Sequence, residues 1–116
     1  MGEVIDFEKL TDGEKTALLK IYRLWAKHHE KSFPQVCRGE MIRGIDLDTL
    51  HQNFSGCVSL FLTRGVLTDG QKEYLYACDD DLGIVTIELQ GYEGFYFRQM
   101  KMLTSAIVEY LTTRAT

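Results

Sequence analysis

A single proline in 116 residues, three cysteines with no CxxC pair and no long apolar run set the first limits on this chain. Without Gly/Ser-rich or low-complexity stretches there is no composition for a linker, and disorder is expected only at the ends. A chain of 116 residues can bury one core but not two, so a single domain over residues 1–116 is expected. Cys37, Cys57 and Cys78 are odd in number and widely spaced, which argues against a disulfide framework and for small buried thiols. Apolar runs such as Val58 to Leu62 fall far short of the roughly 20 residues a membrane helix needs, so no membrane partner is expected. The opening MGEVIDFEKL carries acids where a secretion signal would be basic and then apolar, and a cytoplasmic location is the corresponding expectation.

Chemistry-bearing motifs are also missing. No GxSxG, P-loop, HExxH or GxGxxG occurs, and the carboxylates form no acid/base pair, so neither enzymatic activity nor a cofactor is expected. His28 and His29 are adjacent; on a helix they point about 100° apart and cannot easily share one metal. Partly exposed histidines, not ligands, are the expectation. One sign of charge is absent locally as well. Residues 73–93 hold six acidic and no basic side chains, against five basic and six acidic in residues 1–30, five and four in 31–72, and three and one in 94–116.

The hexapeptide LTDGEK at residues 10–15 returns as LTDGQK at residues 67–72. At the first copy, Thr11 and Glu14 form a capping box ahead of TALLKIYRLWAKHHE, whose Leu18, Ile21, Trp25 and His28 share one helical face. This helix should end near Lys31, because Pro34 pushes Phe33 toward extended geometry. Glu40 to Arg43 fits a short helix stopped by Gly44. Asp46 or Asp48 is then a good N-cap for a second long helix carrying Leu47, Leu50, Phe54, Val58 and Phe61, closed by Gly65; a strand over CVSLFLTRGV competes with it. After the second copy, KEYLYAC, DDDLG and IVTIELQ read as a β-hairpin from about Glu73 to Gln90, with a helix over Gln71 to Cys78 as the alternative. Beyond GYEG, residues 94–114 place Tyr96, Met100, Leu103, Ile107 and Leu111 on one face of a terminal amphipathic helix.

In this order the chain resembles the winged helix-turn-helix family over residues 10–90. The resemblance rests on LTDGEKTALLKIYRLW, EMIRG, IDLDTLHQNFSGCVSLFLTRGVL and the hairpin after it, with FLTRGVL similar to the junction between third helix and wing. It implies an α+β fold, a three-helix core plus a β-hairpin wing, with an extra C-terminal helix. It also implies a DNA-binding transcriptional regulator whose third helix enters the major groove. Carried onto this sequence, Thr49, His51, Gln52, Asn53 and Ser55 would face bases or phosphates, and Arg38, Arg43, Arg64 and Lys72 would clamp the backbone. A two-fold dimer would be built on Tyr96, Met100, Leu103, Ile107 and Leu111, unless that face covers Ile21, Leu24 and Trp25 within one chain.

Two features depart from a DNA-reading pattern. The third helix has no base before Arg64, and the wing would end in Asp79-Asp80-Asp81, which phosphates repel. The wing is therefore expected to lie off the DNA. The alternative function is a non-catalytic interaction module, an adaptor, inhibitor or nucleic-acid mimic, that presents the acidic hairpin to a basic protein partner. Three adjacent acids without a spaced loop are expected to be a solvated turn and not a Ca²⁺ site.

Overall fold

The computed structural model describes residues 10–115, with side chains to residue 112. Its elements are α1 (Asp12–His29), β1 (Met41–Ile42), β2 (Ile45–Asp46), α2 (Leu47–Arg64), α3 (Asp69–Glu88) and α4 (Gly91–Ala115), with a turn of 3₁₀-helix at Gln35–Cys37 between α1 and β1. This is a helical bundle with one small hairpin. The winged-helix expectation is overturned: the Glu73–Gln90 hairpin is a continuous helix, and the short helix over Glu40–Arg43 is replaced by the pair β1 and β2.

Local chemistry explains both corrections. In the second LTDG segment the Gln71 N–H donates to Thr68 Oγ1 at 3.2 Å, and the Thr68 N–H donates to Gln71 Oε1 at 2.9 Å. The same reciprocal pair forms at Thr11 and Glu14. Both copies therefore start helices, each satisfying two N–H groups that would otherwise lack partners. The β-branched run IVTI is accommodated because Thr86 Oγ1 donates to the Leu82 carbonyl at 2.7 Å and Val85 is fully buried, so tertiary packing overrides strand propensity. At the hairpin, Met41 pairs with Asp46 and Ile42 with Ile45, leaving Arg43 (φ 50°) and Gly44 (φ 81°) as a two-residue loop. Positive φ at both positions suits a type I′ turn and forbids the helix expected there.

α2 follows its sequence signals closely. The Asp46 side chain accepts from Thr49 N–H, and Gly65 closes the helix in the left-handed conformation (φ 76°) with its N–H donating to Phe61 O. Leu47, Leu50, Phe54, Cys57, Val58 and Phe61 are its buried stripe. They join Leu18 and Ile21 of α1, Leu75, Leu82 and Val85 of α3, and Phe97, Met100, Leu103 and Ile107 of α4 in one apolar core.

α3 and α4 are antiparallel, since Asp79 meets Thr104, Gly83 meets Lys101 and the end of α3 meets Gly94. Only Leu89 and Gln90 link them. A Cβ built at Gly94 would lie 2.6 Å from the Leu89 carbonyl oxygen and 2.8 Å from Arg98 Nη1. Gly94→Ala is expected to destabilise the fold by about 1–3 kcal/mol, because backbone must give way. At Gly56, exposed within α2, an added Cβ meets nothing within 4 Å. Gly56→Ala is expected to stabilise by about 0.5–1 kcal/mol. Thermal unfolding of the two variants should give shifts of opposite sign; a shared sign would contradict this packing.

Candidate interaction surface

The residues expected to read DNA do not share one face. Gln52 and Asn53 line a shallow depression against α3 with Gly56, Gln71 and Tyr74. Ser55 and His51 turn to the other side, toward α1 and α4, where His51 Nε2 lies 2.8 Å from the Tyr96 hydroxyl. Thr49 is exposed. Of the four bases, Arg43 is held by Glu88 at 2.8 Å, and Arg38 lies 3.6 Å from the Asp48 carboxylate and 4.8 Å from the Phe33 ring centre. Arg64 is exposed at the end of α2, and Lys72 is half-buried in the first turn of α3. Both arginines near α2 thus have an acidic neighbour before any phosphate arrives.

The five residues expected at a dimer interface are buried within the single chain: Tyr96, Met100, Leu103, Ile107 and Leu111 all belong to the core. α4 spends that face on its own bundle. His28, expected to be partly exposed, is buried at 3 % exposure and packs against Tyr96 with ring centres 4.3 Å apart and planes tilted by 47°. Burial lowers its pKa to about 4 against the weaker opposing effect of a Gln99 hydrogen bond. The cysteines are all buried, as small thiols were expected to be, and burial raises each pKa, that of Cys78 to about 12. Among the described residues, no group of three or more His, Cys, Asp or Glu side chains could hold a metal ion. No helix there is long and apolar enough to cross a membrane.

The acidic block takes a form the sequence reading missed. Its triple Asp lies in mid-helix, so successive side chains fan out by about 100° each and do not form a turn tip. Asp79 points into the α3–α4 contact. Its Oδ1 accepts from Thr104 at 3.0 Å and Ser105 at 2.8 Å and pairs with Lys101 at 3.0 Å. Burial alone would raise its pKa, but the hydrogen bonds from Lys101, Ser105 and Thr104 prevail and lower it. Asp81, penalised first by burial and then by Asp80, is raised.

The outward side of α3 carries Glu73, Tyr76, Asp80, Ile84 and Ile87, whose spacing confines them to about a quarter of the helix circumference. Ile87 is 80 % exposed, Ile84 40 % and Tyr76 39 %. With Asp79 committed to Lys101 and Glu88 to Arg43, the acids left on α3 beyond its first turn are Glu73, Asp80 and Asp81. No base lies between Glu73 and Glu93 to neutralise them. The i, i+4, i+8, i+11 spacing of Tyr76, Asp80, Ile84 and Ile87 was the available signal, and it goes unused once the segment is read with period two.

No family model matches the chain, and neither a curated protein nor a solved structure does.

Proposed function

We propose that this chain is a non-catalytic protein-interaction module whose exposed α3 face receives a basic, amphipathic segment of another protein. The supporting observation is the pairing of exposed Tyr76, Ile84 and Ile87 with Glu73 and Asp80 on one helix face that contains no base. Exposed apolar side chains rimmed by charge of one sign are the arrangement expected at an interface, where apolar contact supplies affinity and the charges select the partner. The acidic feature is a helix and not a hairpin, so recognition runs through side chains and offers no free strand edge.

A helical peptide of leucines at i, i+3, i+4 and i+7 with lysines elsewhere is a direct probe, followed by fluorescence anisotropy. Wild type is expected to bind it, with affinity falling as salt rises. Ile87→Glu removes the apolar anchor and Asp80→Lys inverts the rim; each should weaken binding by about tenfold or more. Both positions are exposed, so folding should survive either change. Equal binding by wild type and both variants would overturn the reading. Retention of a DNA duplex from a random pool at low salt, lost in Arg64→Ala, would favour the DNA-binding expectation instead.

A further inference from the structure

The bases of α1 are placed as one-sidedly as the acids of α3. Between Glu14 and Glu30 that helix carries Lys15, Lys20, Arg23 and Lys27 and no acid. Lys20, Arg23 and Lys27 are exposed, and none of the three has an ion-pair partner among the described residues. They stand at i, i+3 and i+7, spacings at which neighbouring like charges repel along a helix. The helix dipole accounts for Lys27 in the last turn but gives no reason for Lys20 and Arg23 at mid-helix. Beside this row runs an apolar one of equal spacing, Leu19, Tyr22 and Ala26, exposed throughout. Tyr22 is held there, its hydroxyl donating to the Leu62 carbonyl at 3.3 Å.

α4 packs against both α1 and α3 and lies between them. The two exposed faces therefore belong to helices that do not pack together, and neither can cover the other within one chain. Each is nevertheless the counterpart of the other. Bases beside Leu19 and Tyr22 on α1 match the acids Glu73 and Asp80 beside Ile84 and Ile87 on α3. A polyanion is a poorer match for the α1 face, because the net charge of −4 and the acids of α3 repel phosphates.

We propose that the α3 face of one copy of this chain binds the α1 face of a second copy, so that copies associate head to tail. The proposal rests on the reading of α3 as an interaction surface and names the basic, amphipathic segment that it receives. A copy engaged through α3 still offers its α1, so association runs on until the rotation between neighbours closes a ring. Leu19 to Ala26 spans only about 11 Å of helix axis and Tyr76 to Ile87 about 17 Å. An interface of that length is small, and the association is correspondingly weak and reversible.

Sedimentation velocity of the full chain from about 5 to about 500 μM covers the affinities expected of so small a contact. Mean mass is expected to rise with concentration, and to rise less as salt is added. Leu19→Ala with Arg23→Ala strips the α1 face, and Asp80→Ala with Ile87→Ala strips the α3 face; alanine favours helix, so both doubles should fold. Each by itself should associate about tenfold or more weakly. Each also keeps the face the other lacks, so an equimolar mixture should form one-to-one pairs and nothing larger. The α1 double should still bind the leucine–lysine peptide as wild type does, which separates this proposal from the reading beneath it. Peptide binding by a wild type that stays monomeric throughout would overturn the second copy as partner and leave the α3 face standing. Neither binding nor association would overturn both. Association that survives either double, or a mixture that restores no pairs, would also overturn the proposal. So would a monomeric wild type retained by duplex DNA and released by the α1 double, which would give that face to a polyanion.

Discussion

Leu82→Ala is expected to destabilise the protein by about 2–5 kcal/mol, the range for deleting a fully buried leucine side chain. Leu82 is 0 % exposed and faces the core from the middle of α3, immediately after the triple Asp. In a hairpin with its turn at DDDLG the same residue would stand in solvent, and its loss would matter little. The size of the effect therefore separates the two architectures. Urea unfolding of wild type and variant measures it through the shift in midpoint at constant slope. A change below about 0.5 kcal/mol, the scale of ordinary surface substitutions, would speak against a helix here. The neighbouring exposed position supplies the control, since Ile84→Ala on the same helix should cost far less.

Acid should weaken the fold well above the pH at which carboxylates are titrated. His28, with its pKa lowered to about 4 by burial, stays neutral in the folded chain, while in the unfolded chain it protonates at its ordinary value of 6.5. Between those values the unfolded state binds more protons, so stability falls as pH drops through the interval and levels off below about 4. The gap corresponds to about 3 kcal/mol. His51 is shifted in the same direction, chiefly by burial and then by Arg38, and adds to the loss. Asp79, whose pKa is lowered, gives up its contribution only when pH falls below the ordinary carboxylate value, outside this window. Denaturant titrations from about pH 7 to about pH 4 should show the decline in wild type and a flatter profile in His28→Phe. A wild-type curve that is level through the window, or one that His28→Phe leaves as steep, would contradict a neutral buried imidazole.

How far the fold could be read in advance varied by element for definite reasons. α1 and α2 were legible because capping side chains, apolar spacing and a terminating residue all agree there: Thr11 with Glu14 at the start of one, Asp46 and Gly65 at the ends of the other. The apolar face of α4 was legible too, but whether it served a second copy or its own core depended on what lay opposite, and both α3 and α1 do. α3 itself was misread because two local signals conflict. Its capping box says helix, while IVTI and the triple Asp say strand and turn, and only partners distant in sequence settle the matter. Lys101, Thr104 and Ser105 on α4 take up Asp79, so a residue of weak helix propensity ties two helices together. The β1–β2 loop was hidden differently, by Arg43 adopting a positive φ that glycine usually supplies. The meeting of His28, His51 and Tyr96 had no local signal beyond the helical spacing of His28, because the three come from separate helices.

The brevity of the α3–α4 link has a consequence for how chain length can vary in this molecule. Leu89 and Gln90 leave no slack, and Gly94 already abuts the Leu89 carbonyl. One residue inserted inside α4 ahead of Tyr96 would turn the rest of that helix by about 100° and swing Tyr96, Met100 and Leu103 off the core together, and one inserted in the link itself would displace the Leu89 carbonyl against Gly94. Between α1 and β1 the chain runs through a longer connection in which Val36 is 67 % exposed. Length is thus held strictly at the α3–α4 junction, whereas the longer connection ahead of β1 is pinned through buried Cys37 and through Gly39 N–H donating to the Asp48 carboxylate.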